Sequence, residues 1–249
     1  MASLFLLRHG KTQWTEEKRF AGWGNAPLSP TGLDEAYAAS KILKQSGHSF
    51  EACFTSCLTR AQHTSQIVLD ELGISLDTLE YNWRLNERHY GALQGELRSD
   101  MVQKYGASDV LQWRSNYHAQ PPKLPENGLR MKEQLDMFQN IPRDQHPRSE
   151  SMIQAVQRTR PLWAEKISPA LKEGKKVLVI AHTNSIRSLI GGLENFNEAQ
   201  SAAFRISTAT PRHYELDDNL KPLKVRDLTH SRKAKIRHWA IRKRLQLMG

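Results

Sequence analysis

Three apolar runs in this chain each end in residues able to do chemistry. Leu4-Phe5-Leu6-Leu7 ends in Arg8-His9-Gly10, Ala52-Cys53-Phe54 ends in Thr55-Ser56 with Arg60 shortly after, and Lys176-Val177-Leu178-Val179-Ile180-Ala181 ends in His182. Short apolar runs bounded in this way read as buried strands. In an open α/β sheet, ligands bind beyond the carboxyl ends of the strands, so the three ends should converge on one crevice. Taken alone, Arg8 and His9 could simply cap an edge strand. Two guanidiniums, two imidazoles and helix N-termini together suit a phosphate, which Arg meets with a bidentate fork and a helix N-terminus meets with free N–H groups. There is no Walker-type glycine loop, which argues against nucleoside triphosphate chemistry. No cluster has metal-ligand spacing, so no metal is expected. Metal-free phosphoryl transfer needs protein cations and a protein nucleophile, and histidine is able to form the covalent intermediate.

The elements that must position these residues can be read from pattern. Thr12 to Leu28, with Trp14, Phe20, Gly22, Trp23 and Gly24, reads as a shaped binding loop. Ser29-Pro30 opens a helix with Leu33, Ala36, Ser40 and Leu43 on one face and Gly47 at its close. A second helix carries Leu58, Ala61, Ser65, Val68 and Leu72 and stops at Gly73. A third strand is expected from Asp77 to Tyr81, and mostly helix from Leu97 to Tyr117. Prolines 121, 122, 125, 142 and 147 break the stretch 118–149, which reads as an insertion at the active-site mouth with a short helix near Arg130 to Phe138. A helix follows from Glu150 past Trp163, kinked at Pro161. Another spans Asn184 to Leu193, with Gly191-Gly192 fraying its end. A late hairpin joins Tyr214-Glu215-Leu216 to a strand from Leu223.

The 249 residues can bury a full core, and 39% hydrophobic with 25% charged is the composition of a soluble globular protein. No apolar run approaches the ~20 residues of a membrane-spanning helix. The apolar start is interrupted by Arg8 and lacks the flanks of a signal peptide, so a cytoplasmic location is expected. Cys53 and Cys57 are too few for a disulfide framework or a zinc site and read as reduced structural thiols. Of the net charge of +10, seven charges lie after Leu228, in Arg232, Lys233, Lys235, Arg237, Arg242, Lys243 and Arg244. A domain over 1–228 and a basic tail over 229–249 are therefore expected, the tail being a candidate for binding a polyanion.

Arg8-His9-Gly10 with Thr12 resembles the signature of the histidine phosphatase superfamily. Within it, the chain is similar to cofactor-dependent phosphoglycerate mutases. The supporting segments are Gln13-Trp14 after that signature, Thr55-Ser56-x-Leu58-x-Arg60-Ala61, the run Leu85 to Gly95, and Ala181-His182-x-Asn184-Ser185. The resemblance implies a three-layer αβα fold, its central sheet mostly parallel with helices on both faces. It implies catalytic roles for five residues. His9 would be phosphorylated on its ring, Arg8, Arg60 and His182 would neutralise the transferring group, and Glu87 would be the general acid/base. Substrate contacts would come from Thr12, Thr15, Ala21, Gly22, Arg88, His89, Tyr90, Arg98, Arg114, Ser115, Thr183 and Asn184. The implied activity is interconversion of 3- and 2-phosphoglycerate in glycolysis and gluconeogenesis, primed by 2,3-bisphosphoglycerate, in a homodimer or homotetramer.

Several positions depart from that family. It usually has Asn at Thr15, Thr at Ala21, Gly at Thr183, a second Arg at Ser115, Glu at Lys11 and Lys at Arg98. The catalytic core is kept while substrate and primer handling is altered. Two rivals follow: a phosphatase of the same superfamily acting on a small phosphorylated metabolite, with water taking the phosphoryl group from His9, and a divergent domain whose basic tail binds a polyanion or a partner.

Overall fold

The computed structural model describes residues 2–229, so of the expected tail only Thr229 is described, and its polyanion-binding reading lies outside the described residues. The first strand, β1 (Ala2–Arg8), forms because Leu4, Phe5, Leu6 and Leu7 are all apolar and all buried. A strand buried on both faces belongs in the middle of a parallel sheet. The remaining strands are β2 (Ala52–Thr55), β3 (Leu79–Tyr81), β4 (Lys176–Ala181), β5 (Arg212–Leu216) and β6 (Pro222–Asp227). Their order is β3-β2-β4-β1-β5-β6. The first four are parallel, and β5 and β6 run antiparallel at one edge. Side chains alternate across this sheet. Leu4, Leu6, Val177 and Val179 face one core with Leu162, Ile186 and Leu189, while Phe5, Leu7, Leu178 and Ile180 face the other with Ala39, Leu43, Val68 and Leu69.

The helices supplying those layers are α2 (Pro30–Gln45) and α3 (Thr59–Leu72) on one face, and α7 (Met152–Leu162) and α9 (Thr183–Leu193) on the other. This is the three-layer α/β architecture expected. Ser29 Oγ caps α2 by accepting from Gly32 N, with Pro30 in the first turn, and Gly73 ends α3 in the left-handed conformation. The short helix α1 (Gln13–Glu16) interrupts the loop after β1. The stretch expected to be mostly helical is two helices, α4 (Arg98–Tyr105) and α5 (Ala107–Ser115), parted by Gly106 at a φ of 87°. Residues 76–78 are a 3₁₀ turn, so the third strand is shorter than expected. Pro161 sits in α7, which passes through a π turn at Trp163–Ile167 into α8 (Ser168–Lys172). Gly191 and Gly192 remain helical because Ile190 and Leu193 anchor the end of α9 in the core. The helix α10 (Glu198–Ala203) leads into the loop before β5.

The stretch 118–149 contains a helix, α6 (Leu129–Met137), near the position expected. It packs on the outer side of the Leu85–Gly95 run: Pro122 O accepts from Ala92 N, and buried Gln134 meets His89. Cys53 and Cys57 are free, and burial pushes the Cys57 thiol up to about 11. Among the described residues no helix is long and apolar enough to cross a membrane.

Candidate active site

The register of the sheet makes the site. Arg8 pairs with Ala181, so the next residues, His9 and His182, leave the sheet side by side, with ring centroids 4.9 Å apart. Gly10 is required there. A Cβ on it would lie 2.2 Å from Gly32 O at the start of α2, and a Cβ on Gly32 would lie 1.9 Å from Lys11 O.

His9 is buried, and its Nδ1 lies 2.6 Å from the Gly10 carbonyl, which can only accept. Nδ1 therefore carries the proton and Nε2 the lone pair. Arg60 Nε donates to that Nε2 at 3.3 Å. Burial, then the charges of Arg60 and Arg8, hold the His9 pKa well below the usual 6.5, so the ring is neutral. Arg60, in the first turn of α3, is itself fully buried and donates to the carbonyls of Gly24 and Gly22, each at 2.8 Å. Its burial lowers its pKa to about 10, which leaves it charged at neutral pH. Arg8 donates to Ile206 O at 3.0 Å, and its Nε is buried without a partner among the described residues. His182 lies 2.6 Å from Ser56 Oγ through Nε2, and its buried Nδ1 has no partner. Burial first, then Arg60 and His9, lowers the His182 pKa well below 6.5.

Glu87 lies opposite. Its Oε1 accepts from Arg88 N at 2.7 Å and from Asn184 N, in the first turn of α9, at 3.1 Å. Trp23 Nε1 donates to its backbone carbonyl at 2.7 Å. Among the described residues, Arg8, His9, Arg60 and Glu87 border a cavity of about 370 Å³ lined by seven arginines (Arg8, Arg19, Arg60, Arg98, Arg114, Arg187 and Arg205) and a single carboxylate, Glu87. Arg19 pairs with Glu17, and the excess of positive charge on the other six favours a ligand with more than one anionic group. A larger cavity of about 590 Å³, between α7, α9 and the β5–β6 turn, contains none of these residues.

Of the residues singled out in the sequence, Thr15, Ala21, Gly22, Tyr90, Arg98, Arg114, Ser115, Thr183 and Asn184 line the same cavity as Arg8, His9, Arg60 and Glu87. Thr12, Arg88, His89 and His182 are not on its wall, His182 lying fully buried behind His9. Thr12 Oγ1 caps α1 by accepting from Thr15 N. Arg88 spans Tyr90, 4.5 Å above its ring, and donates to Trp113 O. His89 is fully buried against Gln134, 2.7 Å from Nε2, and burial lowers its pKa to about 4. Ser115 is exposed and spends its hydroxyl on Leu111 O of its own helix, at 2.7 Å. The stretch 118–149 contributes nothing to this wall.

Sequence reasoning missed Arg19, Arg187 and Arg205, Arg19 lying unremarked within the 12–28 loop. Arg187 follows Asn184 by three residues on the same face of α9, among Ile186, Leu189 and Ile190. A cation on so apolar a helix was the available signal. It donates to Asn184 Oδ1 at 2.8 Å and Phe204 O at 2.9 Å, and burial lowers its pKa to about 10. Arg205 follows α10 in a loop with no pattern to mark it.

Residues 4–133 and 123–227 match the histidine phosphatase superfamily (branch 1). Solved structures agree in fold. A mycobacterial glucosyl-3-phosphoglycerate phosphatase is 23% identical, with a TM-score of 0.67 over 91% of this chain and 97% of its own. The alpha-ribazole phosphatase of Shigella flexneri is 21% identical, with a TM-score of 0.67 over 90% and 95%. Bacillus stearothermophilus YhfR is 21% identical, with a TM-score of 0.68 over 92% and 96%.

Proposed function

The chain belongs to the histidine phosphatase superfamily, and from that premise we propose that it is a phosphatase acting on a small phosphorylated metabolite that carries a second anionic group. The observation that carries this reading is the neutral His9, its Nε2 lone pair at an arginine-lined cavity whose one carboxylate is Glu87. Nε2 attacks phosphorus, the P–O bond to the leaving group breaks, and Glu87 gives its proton to the departing oxygen. Arg8 and Arg60 balance charge on the phosphoryl oxygens, with the His182 ring packed beside His9. Water then attacks the phosphohistidine, Glu87 takes a proton from it, the P–N bond breaks, and phosphate leaves with His9 restored.

Hydrolysis is favoured over transfer because Ser115 offers no charge where the mutase pattern has a second Arg, and its hydroxyl is already engaged. The fold itself hosts phosphatases among its structural neighbours, though fold alone does not assign an activity. The mutase reading keeps one support: Arg98 and Arg114 lie on the wall with Tyr90, and so many cations fit a phosphoglycerate or its bisphosphorylated primer. In that reading 2,3-bisphosphoglycerate would be held by these arginines and would supply the phosphoryl group to His9. The deciding experiment is product analysis with 3-phosphoglycerate, with and without 2,3-bisphosphoglycerate. Phosphate release independent of the bisphosphate is expected. Formation of 2-phosphoglycerate faster than phosphate release, and only with the bisphosphate, would replace this reading with the mutase.

A further inference from the structure

Glu87 sits on a segment with little regular structure of its own, a 3₁₀ turn at Trp83–Leu85 followed by irregular backbone to Tyr90. A general acid needs a fixed carboxylate, so something outside the segment must hold it. Trp23 Nε1 holds the Glu87 carbonyl on one side, and the rest of the segment is held by one buried ion pair, between Glu150 just before the Ser151 N-cap of α7 and Arg158 within that helix. Arg158 Nε donates to Glu150 Oε1 at 2.6 Å, and Nη2 donates to Glu150 Oε2 at 3.0 Å. The same guanidinium donates to four carbonyls of the segment: Arg84 at 2.8 Å and Trp83 at 3.3 Å from Nη1, and Asn86 at 3.1 Å and Glu87 at 3.2 Å from Nη2. Glu150 grips the other side of Glu87. Its Oε2 accepts from His89 N at 2.8 Å, and its own N donates to His89 O at 2.8 Å. Ser151 caps α7 directly after Glu150, which fixes the carboxylate's own backbone.

A buried ion pair is a weak device for stability, since its desolvation cost rivals its Coulomb gain. Placing every donor of a rigid fork on one segment and one carboxylate is a strong device for geometry. We propose that the Glu150–Arg158 pair is the positioning device for Glu87. It sets the backbone so that Arg88 N and Asn184 N hold Oε1, leaving Oε2 to exchange the proton with the leaving oxygen. This rests on the reading of Glu87 as the general acid. Arg158 and Glu150 touch no substrate and are positioning residues.

The test exploits leaving groups. An alkyl phosphate needs a proton on its departing oxygen, whereas p-nitrophenyl phosphate expels a stable phenolate without one. The parameter is kcat/KM, which reports steps up to leaving-group departure and excludes phosphohistidine hydrolysis. Arg158→Lys keeps the charge but not the fork. It should lower kcat/KM for 3-phosphoglycerate about ten- to a hundredfold, a large part of what a general acid contributes, and leave that for p-nitrophenyl phosphate within about threefold. Glu150→Gln, the milder change, should show the same selectivity if Arg158→Lys folds poorly. Combined with Glu87→Gln, Arg158→Lys should add little further loss, because both act through one group. Equal losses on both substrates, or factors that multiply in the double variant, would make the pair merely structural and overturn the proposal. Failure of the reading of Glu87 as general acid looks different: Glu87→Gln alone would then show no selective loss on 3-phosphoglycerate relative to p-nitrophenyl phosphate.

Discussion

One hydrogen bond suits His9 to the proposed role of nucleophile rather than proton carrier. The Gly10 carbonyl fixes the Nδ1–H tautomer, and burial beside Arg60 and Arg8 keeps the ring neutral. Any acid limb near pH 6.5 in kcat/KM therefore belongs to a group other than His9. His9→Ala should abolish the acid-labile phosphoenzyme and reduce turnover to background, measured by phosphate release and by trapping labelled protein. Glu87→Gln should cut kcat by ~10²–10⁴ for an alkyl phosphate while KM moves little. A loss confined to KM would make Glu87 a binding group. Ser115→Arg returns a cation to the wall. One charge-assisted hydrogen bond contributes ~1.5–3 kcal/mol, or about one to two decades in affinity, so KM for 3-phosphoglycerate should fall and the ratio of transfer to hydrolysis should rise. An unchanged ratio would leave Arg205, on the same wall, as the cation already filling that need.

Between strand and helix, the site depends on how closely β1 can approach α2. Gly10 and Gly32 let the two backbones meet where any side chain would collide with a carbonyl. Both obstructions are backbone atoms, so neither can swing aside. Gly32→Ala should cost ~1–3 kcal/mol, as overpacking does, visible as a lower urea midpoint, and should weaken activity by displacing the His9–Lys11 turn. The main elements were legible because local pattern and tertiary role agree: the runs at β1 and β4, the Ser29-Pro30 start of α2 and the Gly73 stop of α3. Arg8, His9, Arg60 and His182 followed from strand-end logic alone. What was not legible depends on which elements cross. His89 lies in the same run as Glu87 but faces Gln134 of α6. Arg205 reaches the cavity only because the loop after α10 passes there. Nothing local marks Arg158 and Glu150; their role depends on α7 crossing the Glu87 segment.

Across the whole molecule, the site and core together bury several histidines in the neutral form, and this sets how stability responds to acid. Burial lowers His89 to about 4 and, with His48 and Arg226 nearby, lowers His213 to about 4. His9 and His182 are lowered well below 6.5. In the unfolded chain all four take up protons near 6.5. Below that pH the unfolded state therefore binds more protons than the folded one, and stability falls as pH falls. The loss begins at about 6.5 and runs through the folded-state values, near 4 for His89 and His213. Each fully buried neutral histidine contributes a slope of up to ~1.4 kcal/mol per pH unit. His213 is buried as well, its ring stacked 4.1 Å from that of Phe5. Urea midpoints should be level from pH 8 to 7 and drop steeply between 6.5 and 5, before ordinary carboxylates titrate. His89→Gln should reduce that slope by the share of one proton while leaving the cavity wall intact, since His89 lies behind it. A level profile from 6.5 to 5 would mean that these rings gain protons in the folded protein, and His9 would then lose the neutral lone pair on which the phosphohistidine depends.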